Sequence, residues 1–341
     1  MGGLAFSAST FENVAARLRA STGMAAKADI GVAAARLGLS GADAVPVGDD
    51  CAAIPDGDGF LLLAIEGFMN EFVAGDPWFA GWCGVMVNLS DIAAMGGRPT
   101  AVVDALWAQG EAGAAPVLEG LRAASARYGV PIVGGHTNLK TDRGQLSVAV
   151  LGRAKRLLTS FDARPGETLV AAIDLRGRYR EPFANWEAAV EAPAARLRGD
   201  LDLLPFIAEA GLARAAKDIS QGGLVGTGAM LAECSGVGLA IDLDRVPAPQ
   251  GVDPARWLMS FPSYGYLLAA SGDNVPAILS TFQARGIAAA AIGTVTAGGR
   301  IEVVSGRARE TIWDFARAPL LGCGPARPLA GAPASAAEDA A

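Results

Sequence analysis

The chain contains one histidine and four cysteines. A single histidine cannot build a His-rich metal site, and any Ser-His-Asp or Cys-His nucleophile would have to run through His136. Cys51, Cys83, Cys234 and Cys323 are scattered with no Cys-x-x-Cys spacing, which excludes a thiolate zinc site and fits a reducing compartment. Positive charge is also in short supply. There are 28 Lys plus Arg against 35 Asp plus Glu, a net charge of −7, so the basic face that a nucleic-acid binder needs is missing. A nucleotide is not excluded, because a metal ion can bridge acidic protein to acidic phosphate. Long hydrophobic runs are absent as well. The longest largely apolar run, Trp78 to Leu89, falls far short of the roughly 20 residues that span a bilayer. No basic region followed by an apolar stretch opens the chain, so the expectation is a cytoplasmic protein with no membrane partner. No Walker A sequence is present, which removes a P-loop ATPase.

What remains is apolar and small. Hydrophobic residues make up 51% of the 341 residues and charged residues 18%, enough for a packed core and for about two domains. The positive mean hydropathy, +0.32, comes from Ala and Gly. Ser9 and Glu12 have capping-box spacing before a helix over about 10–20, and a polar stretch follows to about residue 43. Leu61 to Ile65 reads as a strand. Pro77 opens a helix that runs to Met95 and stops at Gly96-Gly97. Val102 to Leu106 is a strand, Pro116 to Tyr128 a helix, and Val130 to Val133 a strand leading into a Gly134-Gly135 turn. Ser147 to Leu151 is another strand. Asp162, Pro165 and Gly166 mark a boundary. Beyond it come a strand at Thr168 to Ile173, a helix at Leu204 to Ala216, and a helix at Gly222 to Cys234. Strands then follow at Gly238 to Leu243 and Tyr264 to Ala270, a helix at Val275 to Arg285, and strands at Ile287 to Val295 and Ile301 to Val304. The alternation predicts two mixed α/β units, 1–158 and 159–324, and the Ala/Pro/Gly-rich 325–341 reads as a disordered tail.

The chemistry-bearing residues are acids set beside apolar segments. Asp49-Asp50 follows Gly48, Glu66 ends the strand at 61–65, Asn88 and Asp91 share a helix face, and Asp218 precedes a Gln221-Gly222-Gly223 helix start. Taken singly, each of these reads equally as a solvated turn or cap. If they converge, their mutual repulsion calls for a cation, and Mg²⁺ suits because it takes oxygen ligands and shares them with phosphates. Backbone N–H groups at Gly134-Gly135 and Gln221-Gly222-Gly223 could receive phosphate. Lys27 is read two ways, as a point charge for phosphate or as a solvated side chain. His136 is either a nucleotide-site residue or a turn histidine. Cys51, beside two carboxylates, reads as a small buried filler, with a thiol-transfer role as the alternative.

The segments VGDDCAAI (47–54), VNLSDIAAMGGRP (87–99), VGGHTN (133–138), PGE (165–167) and KDISQGGL (217–224) occur in the order of the AIR synthase-like superfamily, which the chain resembles. The resemblance implies a two-domain α/β (α+β) fold: an N-terminal mixed α/β domain that binds ATP and Mg²⁺ and dimerises, followed by a C-terminal α+β domain. It implies Asp50, Asp91 and Asp218 as catalytic metal ligands, with Glu66 beside them on metal or ATP. It places Gly134, Gly135, His136, Arg156 and Ser220 around the nucleotide, with Asn88 supporting from one turn away, and Lys27 and Asp49 join them as candidate nucleotide-binding residues. The implied activity is a Mg²⁺-dependent, ATP-using phosphotransferase or synthetase/ligase acting on an unidentified small-molecule phosphate acceptor, in a homodimer built sheet to sheet. His136 and Gln221 stand where the kinase branch has acids, which keeps open a catalytically altered nucleotide-binding module serving a partner enzyme.

Overall fold

A computed structural model describes residue 4 and residues 6–39 and 45–323; the 325–341 tail lies outside the described residues. In chain order the first half contains α1 (Ala8–Arg19), α2 (Thr22–Ala25), α3 (Ala28–Leu37), β1 (Ala52–Asp56), β2 (Gly59–Gly67), α4 (Asn70–Gly75), α5 (Pro77–Ala94), β3 (Arg98–Gln109), α6 (Gly110–Tyr128), β4 (Ile132–Asn138) and β5 (Lys140–Ala154). The second half contains β6 (Thr168–Ile173), β7 (Arg178–Tyr179), β8 (Asn185–Glu187), α7 (Ala194–Leu201), α8 (Leu203–Glu209), β9 (Ala215–Asp218), α9 (Gly223–Ser235), β10 (Gly238–Asp242), α10 (Pro254–Leu258), β11 (Phe261–Pro262), β12 (Gly265–Ala270), α11 (Val275–Gln283), β13 (Ala288–Thr296), β14 (Arg300–Ser305) and β15 (Ala308–Asp314).

The first sheet has the order β1-β2-β5-β3-β4, antiparallel except for the β3/β4 pair, which α6 joins as a crossover. Helices α5 and α6 cover one face only. Along β2, Leu62 and Ala64 point into the core while Leu63 and Ile65 point outward. The second sheet, β15-β14-β10-β13-β6-β12-β9, is covered on both faces. On β6, Val170 and Ala172 join the core around α5, and Leu169, Ala171 and Ile173 join the core around α9. Double burial explains why β12 is apolar along its whole length with no alternation.

Several local expectations are corrected. Helix α1 is capped by Ser7, whose hydroxyl accepts from the Thr10 amide, not by Ser9. Its buried face, Phe11, Val14, Ala15 and Leu18, packs in the second core against β15 and α10, although it lies within 1–158. The stretch before residue 43 holds two further helices, α2 and α3, whose short Ala-rich sequences carry little periodic signal. The expected helix over 204–216 stops at α8, because Gly211 takes φ +68, and the chain re-enters the sheet as β9. Gly134-Gly135 is no turn. Both lie inside β4, where a Cβ on Gly135 would come within 2.5 Å of the Asp104 carbonyl oxygen. Gly135 therefore reflects close strand approach, whereas a Cβ on Gly134 would meet nothing within 4 Å.

The helix that carries Asn88 and Asp91 is set by another close approach. A Cβ on Gly120 of α6 would lie 1.9 Å from the Trp78 carbonyl of α5, and one on Gly81 would lie 2.1 Å from the Val117 carbonyl. These contacts leave no room for a methyl group. Gly120→Ala is expected to cost about 1–3 kcal/mol by overpacking, read as a lower urea midpoint with an unchanged slope. Wild-type stability in that variant would refute the contact.

Candidate active site

Three segments meet between the two sheets. The Gly48-Asp49-Asp50 turn precedes β1, with Gly48 at φ +126, a conformation that L side chains rarely adopt. A Cβ there would also come within 2.9 Å of the Cys323 Cβ. Helix α5 turns Asp91 inward, and the short edge strand β9 ends on Asp218. One carboxylate oxygen each from Asp50, Asp91 and Asp218 lies within 4.8 Å of the others.

The electrostatics of this triangle are severe. Burial first, then the neighbouring Asp218 and Glu66 carboxylates, push Asp91 well above the carboxylate range. Burial and Asp50 raise Asp218 to about 8. Burial also raises Glu66, and it raises Asp49 to about 6 despite the nearby Lys217. The counter-charge inside the wall is Lys217, 5% exposed, whose ammonium contacts Asp50 Oδ1. Burial works against that charge, and the Asp50 and Asp49 carboxylates more than offset it, so the lysine stays protonated. Asp50 Oδ2 accepts from the Asp218 amide at 3.3 Å. Lys217 is the residue that sequence reasoning missed. It sits inside the quoted KDISQGGL segment, but only the fold shows that it points at the acids.

A cavity of about 1060 Å³ opens over the triangle. Of the residues expected from the sequence, Lys27, Asp49, Asp50, Glu66, Asp91, Asp218 and Ser220 line it. Their roles differ. Both Asp49 oxygens are engaged by Ser160, from its amide at 2.8 Å and its hydroxyl at 2.7 Å, so Asp49 anchors the turn to the segment after β5. Glu66 lines the cavity but is not among the three oxygens that converge. Lys27 lies between α2 and α3 and lowers the raised Glu66 and Asp218 values by its charge. Asn88 is fully buried behind the wall, its Nδ2 donating to the Gly84 carbonyl at 2.8 Å while Oδ1 has no partner. Gly134, Gly135 and His136 do not line the cavity of the single chain. They lie on the exposed edge strand β4, with His136 against Trp107 at 5.7 Å between ring centroids. Arg156 is exposed beyond β5. Burial, then Asp91, raises the Cys51 thiol far above its usual value, so it is an inert filler.

The donor set is all oxygen, buried and short of positive charge. That fits a hard divalent cation such as Mg²⁺, for which Asp50, Asp91 and Asp218 would be the holders. Among the described residues, no helix is long and apolar enough to cross a membrane.

A doubly covered sheet beside a one-faced sheet, with convergent acids between them, defines a two-domain protein of the AIR synthase fold. The chain belongs to the AIR synthase related family: residues 48–154 match its N-terminal domain and residues 182–306 its C-terminal domain. It is 48% identical to the uncharacterized protein sll0787 of Synechocystis, over 82% of this chain and 87% of that one. It is 30% identical to thiamine-monophosphate kinase of Halobacterium salinarum, over 69% of this chain and 83% of that one. Among solved structures, T. maritima PurL complexed with ADP superposes with a TM-score of 0.69 at 21% identity, over 82% of this chain. This chain spans 47% of that longer protein, and the likeness is one of fold.

Two outcomes follow from the charge balance. Lys217→Met leaves Asp49 and Asp50 uncompensated in the wall and is expected to cost about 3–5 kcal/mol, seen as a lower melting temperature in metal-free buffer. The second concerns pH. Asp218 titrates above its unfolded value, so the folded protein holds the extra proton and this group's stabilisation falls as pH rises from about 4 toward about 8. A bound cation competes with that proton. The melting-temperature increment from Mg²⁺ is therefore expected to be larger at pH 8 than at pH 6, and an increment independent of pH would contradict a cation on these carboxylates.

Proposed function

We propose that the protein is a Mg²⁺-dependent, ATP-using enzyme that transfers phosphate from ATP to a small molecule. The observation that carries this reading is the convergence of Asp50, Asp91 and Asp218 oxygens to within 4.8 Å at the base of a cavity wide enough for a nucleotide. Phosphoryl transfer asks for positioning and charge neutralisation more than for covalent chemistry, and the wall contains only such parts. A bound divalent cation would neutralise phosphate charge. The chain's own groups hold and orient: Asp50 is fixed by Lys217 and the Asp218 amide, Lys27 offers a cationic contact at the rim, and Ser220 opens the turn into α9, where backbone N–H groups suit an anion. Membership of a family that includes thiamine-monophosphate kinases supports the reading.

The open face of the first sheet supports a homodimer. The register aligns Leu63 with Leu151 and Ala149 with both Ile65 and Val103, and Ile65 is 70% exposed. An apolar sheet face of this kind is a contact surface awaiting a partner. In a sheet-to-sheet dimer His136, opposite Ala105 on β3, would lie at the interface, which brings Gly134 to His136 toward a shared site. Cytoplasmic residence belongs to the same proposal.

Isothermal titration with the non-hydrolysable analogue AMPPNP is expected to give binding that depends on Mg²⁺ and is lost in Asp91→Asn and Asp218→Asn. Magnesium-dependent binding that survives both substitutions would displace the site, and no binding at all would end the reading. If AMPPNP binds and no acceptor panel yields ADP, the alternative of a turnover-deficient module, motivated by His136 and Gln221, takes precedence. For the dimer, Ile65→Asp is expected to halve the mass measured by light scattering, whereas an unchanged mass would exclude the open face.

A further inference from the structure

The cavity has a second end that the acids do not explain. Its lining there includes Phe68, Phe72, Phe183, Phe261 and Met259, with Asn185 and Glu71 as the polar residues of the same segments. Phe72 and Phe183 come from the two halves of the chain and meet edge to face at 4.8 Å. Asn185 opens β8 and is aligned by the parallel pairing of that strand with β11, Asn185 opposite Phe261. It is 6% exposed, and among the described residues its side-chain amide has no hydrogen-bond partner, although it borders the cavity. On the same strand the Glu187 carboxylate, by contrast, accepts from the Ala189 and Val190 amides. An amide that faces the cavity without a protein partner keeps its donors and its acceptor free for a ligand.

Resting on the functional reading above, we propose that this end is a subsite for a planar nitrogen heterocycle, read by Asn185 through a hydrogen-bond donor beside an acceptor on the ring's edge. A primary amide offers donors and an acceptor in one plane. A polyol or an alkyl chain could meet the amide or the rings, but not both. A flat heteroaromatic ring meets the phenyl groups by stacking or edge contact and the amide by its edge. The arginines of these segments are paired, Arg17 with Asp253, Arg180 with Asp76 and Arg256 with Glu181, which disfavours a carboxylate or phosphate here. The heterocycle has two possible sources, the base of the nucleotide or the phosphate acceptor. The cavity, at about 1060 Å³, lies at the upper end of the roughly 300–1,000 Å³ typical of small-ligand pockets.

The test titrates wild type, Asn185→Leu and Phe183→Ala by calorimetry. The probes are AMPPNP with Mg²⁺, tripolyphosphate with Mg²⁺, and cytidine, adenosine and nicotinamide with and without AMPPNP; ribose and inositol are controls. If the base occupies the subsite, Asn185→Leu weakens AMPPNP by about tenfold or more and leaves tripolyphosphate unchanged. If the acceptor occupies it, AMPPNP is unchanged while at least one of the three heterocycles weakens by that factor, and ribose and inositol show no dependence on Asn185. Phe183 is on a half-buried loop, so Phe183→Ala, which should weaken the same probe, keeps the test valid if Asn185→Leu fails to fold. The subsite is overturned if neither AMPPNP nor any of the heterocycles loses affinity in the folded variants. Failure of the parent reading is separate: AMPPNP would not bind wild type at all, while the heterocycle arm without nucleotide still reports on Asn185.

Discussion

Asp49, Asp50, Glu66, Asp91 and Asp218 share one cavity wall with Lys27 and Lys217. Like charges at this spacing, partly out of water, repel by several kcal/mol even at an effective dielectric constant of about 20. The surrounding architecture manages that repulsion. Lys217 stands inside the wall against Asp50, Ser160 takes both oxygens of Asp49, and the Asp218 amide turns back to Asp50. The raised values of Asp91 and Asp218 measure what these partners leave uncompensated. A site already neutral would have little affinity for a cation. One with three convergent carboxylates and a single buried ammonium keeps a strong demand for positive charge while still folding.

Rigidity comes from the layers behind the wall. Asp91 rides on α5, which is buried along most of its length and locked to α6 by the glycine contacts. Asp218 ends an edge strand of a sheet covered on both faces, where side-chain parity divides the strand residues between two cores. Regular elements thus hold two of the three convergent carboxylates, and the third sits on a turn pinned by hydrogen bonds to Ser160. Positioning of this kind, with little slack, is what phosphate chemistry requires. The apolar end of the cavity is built differently, from loop and short-strand residues of both halves. Variation in specificity within one fold would concentrate there.

Much of this was legible without coordinates. The long strands and helices announced themselves through periodicity and through Pro77, Gly96 and Gly129, and the ordered segments pointed to Asp50, Asp91 and Asp218 as a set. Other features were not legible, for specific reasons. Gly134-Gly135 looked like a turn because glycine pairs usually are, yet both lie in a strand and Gly135 allows β4 to approach Asp104. The short helices α2 and α3 carry too few periodic positions to register. Helix α1 looked like part of the first domain because it is first in the chain, whereas its apolar face finds its cover on β15.

The sequence by itself determined the classes of chemistry available. One histidine, four unpaired cysteines and an excess of acid leave oxygen-ligated metal and phosphate as the natural partners, because only those residue types can supply ligands. The apolar periodicity likewise determined that helices and strands would alternate, since each must bury one face. Tertiary structure alone decided which acids meet, that Lys217 faces Asp50, that Asn185 is left unpaired among aromatic rings, and that one face of the first sheet stays open. Those outcomes depend on contacts between residues far apart in the sequence, and local spacing contains no record of distances that only packing creates.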